Sequence, residues 1–132
     1  MVPGDIDPSV RRFIVDRIDS VEMLEVLLLL RAEPERWWNA GQVNAAVRTS
    51  LTSAADRLHD LAARGLLAVD TTSPPLYRYR PRDAATDAVV GRVAEAYRER
   101  RVSVITLLYS KPQDPVRDLA EAFRLRKGRT DG

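Results

Sequence analysis

Apolar side chains recur at helical spacing through the first quarter of the chain. Positions 10–18 carry them at steps of three and four residues and predict a short amphipathic helix after a loose lead-in. Residues 21–31 predict a second helix, with Asp19 or Ser20 as its N-cap. Glu22 completes a capping-box variant there. Leucines cover more than one face of this second helix, so we expect it to lie between other elements or at a subunit interface.

Two shorter helices follow, and each is preceded by a capping residue. Asn39, with Gln42 three residues later, forms another capping-box variant and predicts a helix over 40–47. Ser50 is the predicted N-cap of the next helix, which runs to Gly65. Glycine is favoured at that end because it adopts the left-handed backbone that commonly terminates a helix.

The hydrophobic pattern alternates after that glycine. Residues 66–71 and 76–80 are rich in β-branched and aromatic side chains and predict two strands. The Thr-Ser-Pro-Pro segment between them predicts a rigid hairpin tip, because proline is not tolerated in a central strand. In the second strand the tyrosines share one face and the arginines share the other: Tyr77 and Tyr79, and Arg78 and Arg80.

A long helical pattern follows the hairpin. Residues 83–111 predict one helix, about 40 Å long as far as Tyr109. Four apolar residues form a stripe that we expect to be exposed and to serve as a dimer seam: Val90, Val93, Tyr97 and Val104. An intramolecular core is the alternative use of this stripe. Residues 112–132 predict a C-terminal amphipathic helix with a basic tail.

Composition excludes several classes of chemistry. The 132 residues include no cysteine and one histidine, which excludes disulfide scaffolds, zinc fingers, iron–sulfur sites, thiol catalysis and multi-histidine metal sites. His59, with Asp56 and Asp60 beside it, offers a poor ligand set on one helical turn, so we expect a solvated surface there. Neither a catalytic triad nor a glycine-rich phosphate loop is visible. We therefore expect no enzyme activity, no metal and no cofactor.

Charge is distributed unevenly, although the net charge is only +2. Residues 1–47 carry 5 basic and 8 acidic side chains, whereas residues 48–82 carry 6 and 3, and residues 83–132 carry 10 and 8. The middle of the chain is therefore positive relative to its start. Nearly all the cations are arginines, and alanines are frequent, which is typical of a GC-rich coding bias. Arginine abundance alone therefore does not indicate nucleic-acid binding.

No segment is typical of a membrane span or an export signal. The longest apolar run, Val26–Leu30, is far shorter than the roughly 20 residues that a spanning helix needs. We therefore expect a cytoplasmic protein with no membrane partner.

The order of elements resembles the winged helix-turn-helix superfamily. Four segments carry the likeness: the N-termini of two helices, the Gly-Leu-Leu segment that ends the second of them, and the second strand of the hairpin. They are residues 38–43, 50–54, 64–67 and 77–81. It implies a mainly α fold with a small β-hairpin, in which a lead-in and short helix at 1–19 precede a winged-helix domain at 20–82. The long helix after the wing is similar to the dimerisation helix of the PadR and MarR repressor families.

The resemblance also implies a function. In winged-helix regulators the third helix of the domain enters the major groove of double-stranded DNA, and the hairpin, or wing, contacts the backbone or the minor groove. In this chain that third helix is the one predicted between Ser50 and Gly65. The DNA-contacting residues implied are Arg48, Ser50, Thr52, Ser53, Arg57, Arg78 and Arg80. Arg57 would fork onto a guanine edge, and the other arginines would neutralise phosphates. A homodimeric transcriptional regulator is the expected function.

The charge of the third helix departs from that pattern. Its outward stripe carries Asp56 and Asp60 against Arg57 and Arg64, which leaves it formally neutral. A carboxylate that faces a phosphate is unfavourable unless it pairs with an arginine or accepts a hydrogen bond from cytosine N4. The alternative function is therefore a non-enzymatic protein-interaction adaptor built on the same frame.

Overall fold

The computed structural model describes residues 6–109, which form six helices and one two-stranded antiparallel sheet. The elements in chain order are α1 (Pro8–Arg17), α2 (Val21–Ala32), α3 (Ala40–Val47), α4 (Leu51–Ala63), β1 (Leu67–Asp70), β2 (Leu76–Tyr79), α5 (Ala84–Glu99) and α6 (Arg101–Tyr109). The predicted mainly α fold with a hairpin after the fourth helix is confirmed. The C-terminal helix predicted over 112–132 lies outside the described residues.

Local capping determines where the first helices begin. Asn39 and Gln42 exchange both hydrogen bonds of the predicted capping box, at 2.8 and 2.9 Å. The Ser50 hydroxyl accepts from the amide three residues later, as expected of an N-cap. Ser20 caps α2 in the same way. The prediction that Glu22 completes that cap is wrong, because its carboxylate bonds to side chains next to and within α4 instead.

The hairpin forms where the sequence predicts it, with strands slightly shorter than expected. Leu67 pairs with Tyr79, and the register continues to Asp70 opposite Leu76. Gly65, with φ 77°, turns the chain from α4 into β1. A Cβ at that position would meet the guanidinium of Arg82 at 2.8 Å. The positive φ therefore favours glycine here, whereas the Arg82 side chain is flexible and could move aside.

The base of the hairpin is fastened on both sides. Trp38 and Tyr77 exchange backbone hydrogen bonds of 2.7 and 2.8 Å, which adds a short third segment to the sheet. The Tyr79 hydroxyl donates to Asp87 on α5 at 2.6 Å. Burial and that bond raise the pKa of Tyr79 far above its usual range, so the hydroxyl stays a donor. The tyrosine face of β2 is buried, as the alternation predicts.

Helix α2 lies at the centre of the described fold. It packs against α3, α4 and β2, and five of its side chains are buried: Met23, Leu24, Val26, Leu27 and Leu30. The expectation that this leucine-rich helix lies between other elements is confirmed. No polar or charged side chain among residues 6–109 is fully buried, so apolar packing holds this core together.

The helix predicted over 83–111 is two helices. α5 ends at Glu99, and Arg100 leaves the helical region with φ −134° and ψ 49°. Its amide still bonds to the Ala96 carbonyl at 2.7 Å, so the chain turns within one residue. α6 then packs against both α5 and α1. The prediction of one uninterrupted helix is therefore wrong, because packing against α1 outweighs continuation of the helix.

The apolar stripe on these helices is buried within the chain. The four residues expected to form an exposed dimer seam keep at most 9% of their surface: Val90, Val93, Tyr97 and Val104. α1 packs on α5, and Glu25 of α2 accepts a hydrogen bond from the Tyr97 hydroxyl at 3.1 Å. The expectation of an exposed stripe is therefore wrong, and the intramolecular alternative describes it correctly.

Removal of a central side chain tests the place of α2 in this core. Leu27→Ala is expected to lower the free energy of unfolding by about 2–5 kcal/mol, because it leaves a cavity in a close-packed region. Leu51→Ala is the matched control, since Leu51 is 59% exposed and its loss is expected to change that energy by about 0.5 kcal/mol or less. Urea denaturation followed by circular dichroism measures both. Equal losses would contradict the central position of α2.

Candidate nucleic-acid interface

Helices α3 and α4 pack against each other as the helix-turn-helix pair that the sequence predicts. Arg48 ends α3 in the left-handed conformation, with φ 56° and ψ 58°, and so turns the chain towards α4. One face of α4 is buried through Ala54, Leu58 and Leu61. The opposite face is open to solvent and is the surface that such a pair presents to a partner.

The seven residues predicted to contact DNA fall into two groups. Four are exposed: Arg48, Ser50, Thr52 and Arg80. Three are half-buried and contact acidic side chains, by a hydrogen bond in the first case and by ion pairs in the other two: Ser53, Arg57 and Arg78. The structure therefore separates residues that are open to a partner from residues that already have a protein contact.

Glu22 of α2 contacts side chains from the first turns of α4 and from the turn before it. Its carboxylate accepts from the Ser53 hydroxyl at 2.5 Å and from the Thr49 hydroxyl at 3.0 Å. Arg57 lies 3.9 Å from the same carboxylate. We call these four residues the Glu22 cluster. Sequence reasoning missed it, because Glu22 sits three residues after Asp19, a spacing that predicts a local cap.

Arg57 is held between two carboxylates. Besides Glu22 it contacts Asp60, with Nη2 3.5 Å from Oδ2. Its side chain is 28% exposed, and its buried Nε has no hydrogen-bond partner among residues 6–109. The expectation of a freely exposed fork at Arg57 is therefore wrong, because the surrounding charges draw the guanidinium against the protein.

The outward face of α4 has less positive charge than the sequence suggests. Arg64, which was expected on this face, bonds instead to the Arg17 carbonyl at 2.6 Å and to Asp19 at 2.7 Å. Asp56 and His59 are exposed there, with the imidazole 79% exposed. Among the described residues, the open face of α4 therefore presents a carboxylate and a solvated imidazole, with no arginine.

The wing carries arginines in two different environments. Arg78 lies 3.9 Å from Glu35 and 5.0 Å from the centre of the Trp37 ring, so its charge is partly balanced and its guanidinium is oriented. Arg80 follows β2 and is exposed, and its amide donates to the Leu66 carbonyl at 3.0 Å. Its backbone is thereby fixed while its side chain extends from the surface.

Other kinds of site are not apparent in the described part of the chain. Residues 6–109 contain no group of three or more His, Cys, Asp or Glu side chains placed to hold a metal ion. The same residues include no helix that is both long and apolar enough to cross a bilayer.

No family model and no curated protein matches the chain. Its fold is similar to that of a mutant of MepR from S. aureus bound to an oligodeoxyribonucleotide, with a TM-score of 0.53, 10% identity, and 93% of this chain and 87% of that chain covered. It is also similar to a mutant of MarR from E. coli, with a TM-score of 0.50, 11% identity, and 87% and 82% covered.

A transcriptional regulator from Thermotoga maritima is a third similar structure. Its TM-score is 0.50 at 12% identity, with 93% of this chain and 84% of that chain covered. At these identities the likeness concerns the arrangement of helices and the hairpin, which agrees with the order of elements described above. The chain therefore has a winged helix-turn-helix fold, the arrangement it shares with these three structures.

Proposed function

We propose that this chain is a transcriptional regulator that binds double-stranded DNA, with α4 in the major groove and the hairpin on the phosphate backbone. The observation that carries the proposal is the exposed start of α4, which follows Arg48 and is accompanied by Arg80 on the wing. In this fold those positions face the duplex. A protein of similar fold that is bound to an oligodeoxyribonucleotide supports DNA as the partner.

The exposed residues are proposed to make different contacts with the duplex. Arg48 and Arg80 contact phosphates, because both are exposed cations, and Arg78 adds a weaker contact from its place beside Glu35. Ser50 and Thr52 lie at the start of α4, where hydroxyls and backbone amides suit a phosphate or a base edge. Ser53 and Arg57 contribute only after leaving Glu22. The proposed role involves no catalytic step and no cofactor. We propose that the protein carries it out in the cytoplasm.

A protein-interaction adaptor is the second candidate function. It is favoured by the open face of α4, where, among the described residues, Asp56 and His59 are exposed and no arginine is. An exposed carboxylate repels a polyphosphate, and Leu51 in the first turn of α4 is 59% exposed and offers apolar area to a protein partner. The two candidates differ in one measurable property, since the adaptor has no affinity for duplexes at low salt.

Removal of the exposed arginines tests the DNA-binding proposal. Arg48→Ala and Arg80→Ala are each expected to weaken binding to specific and random duplexes alike, by about 3- to 10-fold near 0.1 M salt. Each is also expected to reduce the slope of log K against log salt by about 0.9, the effect of one lost phosphate contact. Fluorescence anisotropy with a labelled random-sequence duplex pool, titrated at several salt concentrations, measures both quantities.

The matched control is Arg11→Ala, which removes the same charge from an exposed position on α1. Its affinity is expected to stay close to that of the wild type, because α1 packs on α5 and α6 and has no part in the α3–α4 pair. If the wild-type chain binds no duplex at low salt, the adaptor becomes the better candidate.

We also propose that two copies of the chain form a homodimer, with α6 in the interface between them. Val102 and Tyr109 of α6 are 77% and 82% exposed and are the most exposed large apolar residues described. Val102→Ser and Tyr109→Ser together are expected to convert a dimer into a monomer, because they remove apolar contact area from the seam. Light scattering at micromolar protein measures the mass. A monomeric wild-type chain would contradict this proposal.

A further inference from the structure

The Glu22 cluster links α2, where no DNA contact is expected, to two residues of α4, the helix proposed to enter the major groove. Glu22 belongs to the first turn of α2, whereas Ser53 and Arg57 lie on successive turns of α4. The carboxylate holds Ser53 by a hydrogen bond and Arg57 by charge. Thr49 reaches it from the turn between α3 and α4. One carboxylate thus contacts the first turns of α4, the turn before it, and the arginine whose charge α4 would otherwise present.

The charge balance of the cluster favours the withdrawn position of Arg57. Glu22 and Asp60 supply two negative charges, and Arg57 supplies one positive charge between them. These side chains are only 28% to 38% exposed, so water screens the attraction less than it would at a fully exposed ion pair. The guanidinium is therefore kept from the phosphates of a passing duplex, even though α4 carries it.

We propose that Glu22 is a specificity-determining residue of the DNA surface. By holding Arg57, it removes from α4 a cation that would bind the backbone of any duplex, and so it suppresses sequence-independent affinity. Only a duplex that offers Arg57 a better partner than two carboxylates, such as a guanine edge, draws the guanidinium out. This inference rests on the proposed function and adds the control of its selectivity.

Glu22→Gln tests the proposal, because it removes the charge and keeps the shape of the side chain. The amide oxygen can still accept from the Ser53 hydroxyl, while the amide NH2 can donate to the Thr49 hydroxyl oxygen. The affinity for a random-sequence duplex pool is expected to rise about 3- to 10-fold near 0.1 M salt. The salt slope is expected to steepen by about 0.9, the effect of one added phosphate contact. The ratio of specific to random affinity, measured with a duplex selected from the same pool, is expected to fall.

Glu25→Gln is the matched control. Glu25 is a partly exposed carboxylate on the same helix, but its partners are Tyr97 and Arg101 on α5 and α6. It loses the same charge without freeing a residue of α4, so its random-duplex affinity is expected to rise less than that of Glu22→Gln. An equal rise in both variants would overturn the proposal, since overall charge would then explain the effect.

The double variant Glu22→Gln with Arg57→Ala separates the released arginine from other effects. Its random-duplex affinity is expected to return to the wild-type level, because the cation that produced the gain is gone. A gain that persists without Arg57 would overturn the proposal. Circular dichroism melting confirms that each variant is folded before its affinity is compared.

Arg57→Ala alone keeps the proposal testable if Glu22→Gln does not fold. It is expected to weaken random-duplex binding less than Arg80→Ala, since Arg57 is withheld and Arg80 is exposed; an equal or larger loss would overturn the proposal. Failure of the proposed function has a different signature. In that case neither the wild type nor a folded Glu22→Gln binds any duplex, which overturns both proposals, whereas wild-type binding with no change in Glu22→Gln overturns the second alone.

Discussion

The apolar surface of α2 has to be covered on several sides at once, and the rest of the described fold follows from how this is done. α4 covers one side and packs against α3, while β2 covers another side and pairs with β1, which packs against α4. A helix apolar on so much of its surface has no stable place in water. The candidate interface is thus assembled from elements whose shared requirement is to bury Leu24, Leu27 and Leu30.

Charge is organised around this apolar centre so that most arginines near α4 face protein groups. Arg57 lies between two carboxylates, Arg64 bonds to the α1–α2 junction, and Arg78 lies beside Glu35 and Trp37. Arg48 and Arg80 are the arginines left open beside the helix and on the wing. A surface of this kind has modest overall attraction for a polyanion, so the proposed DNA binding depends on the positions of the few open cations.

Sequence reasoning succeeds in this chain wherever the deciding interaction is local. The capping box of Asn39 and the left-handed Gly65 involve groups a few residues apart, and the alternation of β2 reports its own buried face. Sequence reasoning fails where one side chain could bond either to a near or to a distant partner. Glu22 could complete a cap close by in the sequence, but it bonds to a serine 31 residues away, and rules based on short spacings cannot predict that outcome. The break at Arg100 has the same origin in packing against α1.

The wing is fixed at its base and open at its tip, and this makes it a replaceable module. Trp38 and Tyr79 fasten the base through the backbone and through α5, whereas residues 71–75 are exposed. The entropic cost of lengthening a surface loop grows slowly with its length. Evolution or a protein engineer can therefore exchange the tip for a longer or differently charged one, and so change the reach of the wing, while the core that holds it stays the same.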